Sequence, residues 1–204
     1  MRAWSGATRR RNAVITRYFE ARDMLRNITV FCGSSAGLSP LHADNARQVG
    51  CWLADRGIGL VYGGGRVGLM GVLADACLRA GGRVVGVIPK ALADKEVAHT
   101  GLTELHIVGS MHARKALMAE RCDAFLALPG GYGTWDELIE ALTWTQLGIQ
   151  SKACGLLNVG GYYDALIAMV DRAVAEGFIR REHRGLLLAD TDVAALLERL
   201  GTGH

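Results

Sequence analysis

The chain predicts a doubly wound, Rossmann-like α/β fold, with one parallel β-sheet sandwiched by helices in a single domain. Three observations carry that prediction. Short, almost wholly apolar runs, such as Ile28-Thr29-Val30-Phe31-Cys32 and Ala124-Phe125-Leu126-Ala127-Leu128, alternate with amphipathic stretches of helical length. That alternation is the pattern of a parallel sheet covered on both faces. Glycine-rich turns follow three of the runs, after Cys32, Tyr62 and Leu128. Strand ends of that kind are where ligands sit in such folds. Finally, 204 residues, half of them hydrophobic and 27 of them glycine, suit one core joined by tight turns.

The elements follow in order. Residues 1–27 differ from the rest: they carry Arg9-Arg10-Arg11 and further arginines without an apolar stretch behind them. A solvated, poorly ordered extension is expected there. Met24 lies just before the first strand and is the expected natural start, which leaves residues 28–204 as the domain. Residues 28–32 read as the first strand, and a helix over 41–54 follows with Pro40 at its start. Residues 58–62 are the second strand, a helix runs from Leu69 to Leu78, and 84–88 are the third strand. A polar connection over 89–100 leads to a short strand at 105–108. Ser110 can cap a helix over 111–121. After the strand at 124–128, Thr134 starts a helix that runs through Leu147. A strand at 153–157, a helix over 162–176, a strand at 185–189 and a helix over 192–200 complete the chain.

Composition excludes several classes. A formal net charge of +3 is mild and gives no case for nucleic acid or a membrane surface, while anionic small molecules remain open. The five cysteines form no CxxC pair, which suits reduced, buried thiols in a cytoplasmic protein. No apolar run is long enough to span a bilayer. There is no GxxxxGK[ST], no GxSxG and no HExxH or dense ligand cluster, so no metal is expected.

Gly63-x-Gly65-x-x-Gly68 matches the dinucleotide fingerprint between a strand and a helix. The next strand, however, ends Val87-Ile88-Pro89-Lys90, without the carboxylate that would hold the ribose. Tight packing of the turn, or phosphate contact without a dinucleotide, is the better reading. The stretch Leu128-Pro129-Gly130-Gly131-Tyr132-Gly133-Thr134-Trp135-Asp136-Glu137 is more telling. Strand, glycine turn and helix start together make an anion site, because free N–H groups and the helix dipole point at it. Thr134-x-x-Glu137 also has the form of a capping box, and both readings stand. Arg114 and Lys115 fall early in their helix, where cations oppose the dipole unless a ligand anion or a carboxylate lies nearby. Met111, Lys115 and Met118 share one face of that helix, as core or as pocket lining, and His112 reads as a surface or supporting residue.

With those residues in view, the chain resembles the LOG family of cytokinin riboside 5′-monophosphate phosphoribohydrolases, whose members are often labelled lysine decarboxylases. The resemblance rests on Pro129-Gly130-Gly131-x-Gly133-Thr134-x-x-Glu137 together with Met111-His112-x-Arg114-Lys115. It extends to the 63–71 and 31–35 turns, Ile88-Pro89-Lys90 and Leu142-Thr143-Trp144-x-Gln146-Leu147-Gly148. The extension before Ile28 departs from it, as does Trp135-Asp136 where Leu-Glu is common.

The resemblance implies hydrolysis of the N-glycosidic bond of AMP or an N6-prenylated AMP, giving a free base and ribose 5-phosphate. It makes Arg114 and Glu137 catalytic, and Glu96, Lys115, Gly131, Tyr132, Gly133, Thr134, Trp135, Asp136 and Thr143 substrate contacts. It implies no organic cofactor and no metal, and a homodimer with the glycine motif near the subunit interface. The alternative is a non-catalytic nucleotide or molybdenum-cofactor carrier on the same fold. A true lysine decarboxylase would need pyridoxal phosphate and a Schiff-base lysine, and none of Lys90, Lys95, Lys115 and Lys152 has a recognisable setting for one.

Overall fold

The apolar runs become strands because each buries alternate residues on opposite faces of one sheet. A computed structural model of the chain describes residues 25–202 except 94, 96 and 97. The strands are β1 (Asn27–Phe31), β2 (Gly59–Tyr62), β3 (Val84–Pro89), β4 (Glu104–Val108), β5 (Ala124–Ala127), β6 (Cys154–Leu157) and β7 (Leu187–Asp190). All pair in parallel, in the order β4-β3-β2-β1-β5-β6-β7. The order therefore reverses between β1 and β5, and the doubly wound topology places a crevice there, at the strands' carboxyl ends.

The helices are α1 (Pro40–Asp55), α2 (Gly68–Arg79), the single turn α3 (Lys90–Ala93), α4 (Met111–Glu120), α5 (Tyr132–Gln146), α6 (Asp164–Ala175) and α7 (Val193–Gly201). Ser39 caps α1 through Leu41 N–H, with Pro40 at the first position. Ser110 caps α4 by accepting from Ala113 N–H at 3.1 Å, as its position in the sequence predicts. Among the described residues, no helix is long and apolar enough to cross a membrane.

Two apolar layers result. Ile28, Val30, Leu60, Tyr62 and Leu126 face α1, α2 and α7, where Leu53, Leu73 and Leu196 meet them. Phe31, Val61, Val87, Phe125 and Ala127 face the other way, against Met118 of α4, Leu138 of α5 and Tyr163. Phe31 and Phe125 stack across adjacent strands with centroids 5.7 Å apart. Each fully buried Leu or Phe contributes about 1.5–3 kcal/mol relative to exposure, so these layers hold the crevice rigid.

Three element boundaries shift. The helix expected over 162–176 spans Asp164–Ala175, because a short 3-10 turn, Val159–Gly161, precedes it. The last strand starts at Leu187, after a second 3-10 turn over Arg181–Leu186. The helix after the central glycine turn starts at Tyr132 rather than Thr134. The arginine-rich extension and Met24 lie outside the described residues.

Four of the five thiols are buried, and Cys51 alone is exposed. Burial pushes Cys77 up to about 11 and Cys154 up to about 12, and it raises Cys32 and Cys122 as well. A raised thiol stays protonated at neutral pH and is a poor nucleophile. Under native conditions iodoacetamide is therefore expected to label Cys51 alone, read by intact mass. Fast labelling at Cys32, which lines the crevice, would show that the crevice opens.

Candidate active site

The three glycine turns converge at the switch point. The turn after β2 is drawn against the loop after β1: Leu69 N–H donates to Gly33 O at 3.0 Å. Gly68, at φ +59°, lies so close to Ser34 that a Cβ would stand 2.3 Å from its carbonyl carbon. Only glycine meets both demands there. Gly68 thus serves close packing of the turn, and the dinucleotide fingerprint has a structural explanation. The turn after β5 leans on the same loop, with Gly33 N–H donating to Pro129 O at 3.1 Å. A Cβ on Gly130 would meet Thr134 Oγ1 at 2.1 Å and Gly33 N at 2.8 Å.

Gly131 is the cap of α5 and offers no side chain, and no side-chain hydrogen bond closes the first turn. The capping-box reading therefore fails. Thr134 lies inside the first turn and is buried, while Glu137 falls in the second turn, too far along to reach the cap N–H. Glu137 instead buries its carboxylate against Arg114, with Oε1 3.6 Å from Nη1. The first N–H groups of α5 receive no side-chain cap, at the positive end of the helix dipole.

Arg114 is 6% exposed and fixed in three directions. Nε donates to Val87 O and Nη2 to Gly63 O, each at 3.1 Å, and Nη1 faces Glu137. Burying a guanidinium is costly unless its donors are met, and β3, the turn after β2 and α5 each meet one. Lys115 is tied just as firmly, to Asp136 Oδ2 at 3.0 Å and Glu140 Oε2 at 2.8 Å. Burial pulls its ammonium pKa down, but the hydrogen bonds from Glu140 and Asp136 outweigh that and leave it raised. The cost of two cations early in α4 is thus offset by carboxylates of α5.

A cavity of about 330 Å³ opens at this place, within the usual range of small-molecule sites. Cys32, Gly33 and Ser34 form one wall, and Gly131, Tyr132, Gly133 and Thr134 another. Arg114 and Glu137 both line it, and Met70, Leu92 and Met111 add apolar surface. Of the shared-face methionines, Met111 lines the cavity and Met118 is core. His112 is exposed.

The structure thus brings Arg114, Glu137, Gly131, Tyr132, Gly133 and Thr134 together around one cavity. Trp135, Asp136 and Thr143 line a neighbouring shallow groove on the outer side of α5, with Tyr132, Ile139, Glu140 and Trp144. Thr143 Oγ1 donates within the helix to Ile139 O at 2.7 Å. Lys115 lines neither hollow, and Glu96 lies outside the described residues. Sequence reasoning missed the carbonyls of Val87 and Gly63 as the anchors of Arg114. A strand end and a glycine turn next to each other in the sheet were the available signal.

A family model described as "Possible lysine decarboxylase" matches residues 70–200. A probable cytokinin riboside 5′-monophosphate phosphoribohydrolase of Oryza sativa subsp. japonica is 53% identical over 175 residues, covering 86% of this chain and 77% of that one. The chain belongs to the LOG family. A further LOG-family relative, a cytokinin riboside 5′-monophosphate phosphoribohydrolase of Arabidopsis thaliana, is 47% identical over 181 residues, 89% of this chain and 85% of its own.

Among solved structures, the molybdenum cofactor carrier protein of Chlamydomonas reinhardtii superposes with a TM-score of 0.65 at 22% identity, over 87% of this chain and 98% of that one. The molybdenum cofactor binding protein of Rippkaea orientalis gives 0.64 at 21%, over 86% and 95%. At that identity the LOG-family chain shares their fold, and the likeness carries no more than that.

Proposed function

We propose that the protein is an N-glycosyl hydrolase that cleaves AMP, or an N6-prenylated AMP, to free base and ribose 5-phosphate. One observation carries this reading: a buried Arg114–Glu137 pair shares a small-molecule cavity with the uncapped start of α5. Relatives 47–53% identical over most of the chain bear the corresponding enzyme name.

The phosphate binds at the 131–134 turn, where backbone N–H groups and the helix dipole favour an anion. As the C1′–N9 bond breaks, positive charge grows on the ribose. The Glu137 carboxylate stabilises that charge and orients the attacking water. Water oxygen joins C1′, and the water's proton is transferred to the departing base. Arg114 holds the Glu137 carboxylate in place, and its fork braces the ribose or phosphate.

The decarboxylase label does not fit this site. Pyridoxal phosphate chemistry needs a Schiff-base lysine, and none of the chain's lysines lines the cavity. Lys115 is held by Asp136 and Glu140, Lys152 donates to Ala119 O, and Lys90 and Lys95 are exposed.

The deciding test is incubation with AMP and with an N6-prenyl AMP, followed by chromatography of the free base. Release of neither base sinks the proposal. We assign the activity to residues 28–204, and we propose a cytoplasmic homodimer joined along the outer face of α5. Tyr132 there is 87% exposed, beside the exposed Trp135 and Ile139. Light scattering at micromolar concentration should give twice the mass of the chain.

Gly63 gives a sharper check on Arg114. A Cβ on it would stand 2.0 Å from Arg114 Nη2 and 3.2 Å from Met70 Sδ. Gly63→Ala is expected to fold while pushing the guanidinium aside. Misplacement of a catalytic group by about 1 Å lowers turnover about 10²-fold. Native turnover with a native melting temperature would separate Arg114's position from catalysis.

A further inference from the structure

Every carbonyl of the turn that opens α5 has a partner. Tyr163 Oη donates to Leu128 O at 2.7 Å, Gly33 N–H to Pro129 O, Tyr162 Oη to Gly130 O, and Trp135 N–H to Gly131 O. Two of these four partners are hydroxyls of consecutive tyrosines, from the segment that joins β6 to α6. That segment is itself fastened. Asn158 accepts from Tyr163 N–H at 2.7 Å and donates to Asp164 at 2.7 Å. The Tyr162 ring meets the edges of Tyr163 and His42, at 4.9 and 6.0 Å between centroids.

In a trans peptide the C=O and the following N–H point in opposite directions, and the described residues hold no cis bond. A hydroxyl that holds Gly130 O therefore sets the direction of the Gly131 N–H. Gly131 lines the cavity, whereas Tyr162 does not. The bond from Tyr162 thus turns that N–H away from the tyrosine and toward the cavity side. Gly130 packs against Thr134 and Gly33, but Gly131 has nothing within 4 Å of where a Cβ would be, so packing holds only the Gly130 side of this peptide. The bond from Tyr163 does nothing comparable. Leu128 O belongs to the Leu128–Pro129 peptide, which carries no N–H to aim.

We propose that Tyr162 is a positioning residue: its hydroxyl, by holding the Gly130 carbonyl, aims the Gly131 N–H at the phosphate of the substrate. This rests on the phosphoribohydrolase reading for the identity of the anion. Tyr163, one residue on, is a structural clamp of the same turn without that role. The pair is an internal control supplied by the chain.

The experiment compares Tyr162→Phe and Tyr163→Phe with the unmodified protein. Loss of one neutral hydrogen bond that orients a donor corresponds to about a 3- to 10-fold change in affinity. Tyr162→Phe should raise KM for AMP by that factor, leave kcat within about two-fold and barely move Tm. Tyr163→Phe buries an unmet carbonyl, so it should lower Tm and leave KM unchanged. An unchanged KM in Tyr162→Phe, or an equal rise in Tyr163→Phe, overturns the proposal.

Ribose 5-phosphate binding, followed by calorimetry on the same three proteins, separates this result from the reaction itself. A weaker isotherm for Tyr162→Phe alone supports the inference even if no base is ever released. An equal isotherm for all three, or none for the unmodified protein, overturns it whatever the turnover.

Discussion

Glu137→Gln is expected to bind AMP with an affinity within about three-fold of native and to lose about 10³-fold in kcat, the scale of removing one electrostatic stabiliser from a buried site. The amide has the shape of the carboxylate, so the α5 backbone and the cavity wall stay as they are. What disappears is the negative charge that, in the proposed mechanism, faces the developing oxocarbenium ion. In the proposed reaction, ground-state binding depends chiefly on the 131–134 turn, which the substitution does not touch. Loss of kcat with KM retained is the signature of a contact made only in the transition state. Chromatography of released adenine gives kcat, and calorimetry on the inactive variant gives affinity. Near-native base release would remove Glu137 from the mechanism and turn attention to water held elsewhere in the cavity.

The sheet was legible because parallel strands buried on both faces are written as apolar runs, and six helices of two turns or more carry an apolar stripe. The crevice was legible too, since glycine turns after β1, β2 and β5 point to the one place where strand order reverses. The start of α5 was not. A glycine cap leaves no side-chain signature, and Thr134-x-x-Glu137 imitates a capping box three residues too late. The partner of Lys115 was equally hidden. Asp136 and Glu140 lie one turn apart on α5, and only the packing of α4 against it turns that spacing into a clamp. Trp135 and Thr143 entered through family resemblance, and they occupy the outer groove rather than the cavity. Tyr162 and Tyr163 sit in a short irregular segment with no periodicity, so their hold on the central turn appears only in three dimensions.

Arg114 separates stability from catalysis most clearly. Arg114→Ala removes one guanidinium and with it the contact that this group makes to Val87 O, Gly63 O and the Glu137 carboxylate. Breaking a buried pair from one side costs about 3–5 kcal/mol, and water entering through the cavity favours the lower end. A fall of that size is a large share of a domain's stability and should appear as a Tm drop of about 10 °C, taking about 2–4 °C per kcal/mol for a domain of this size. Arg114→Lys keeps the charge but cannot reach three fixed directions from one nitrogen, so activity should still fall about 10²-fold. The double replacement Arg114→Met with Glu137→Leu is the decisive variant. Removing both charges together also removes the desolvation cost of each, so melting should return to near native or above. Turnover should stay absent. If the double variant melts as low as Arg114→Ala, the pair is a net stabiliser of the fold, and its burial at the cavity needs no catalytic explanation.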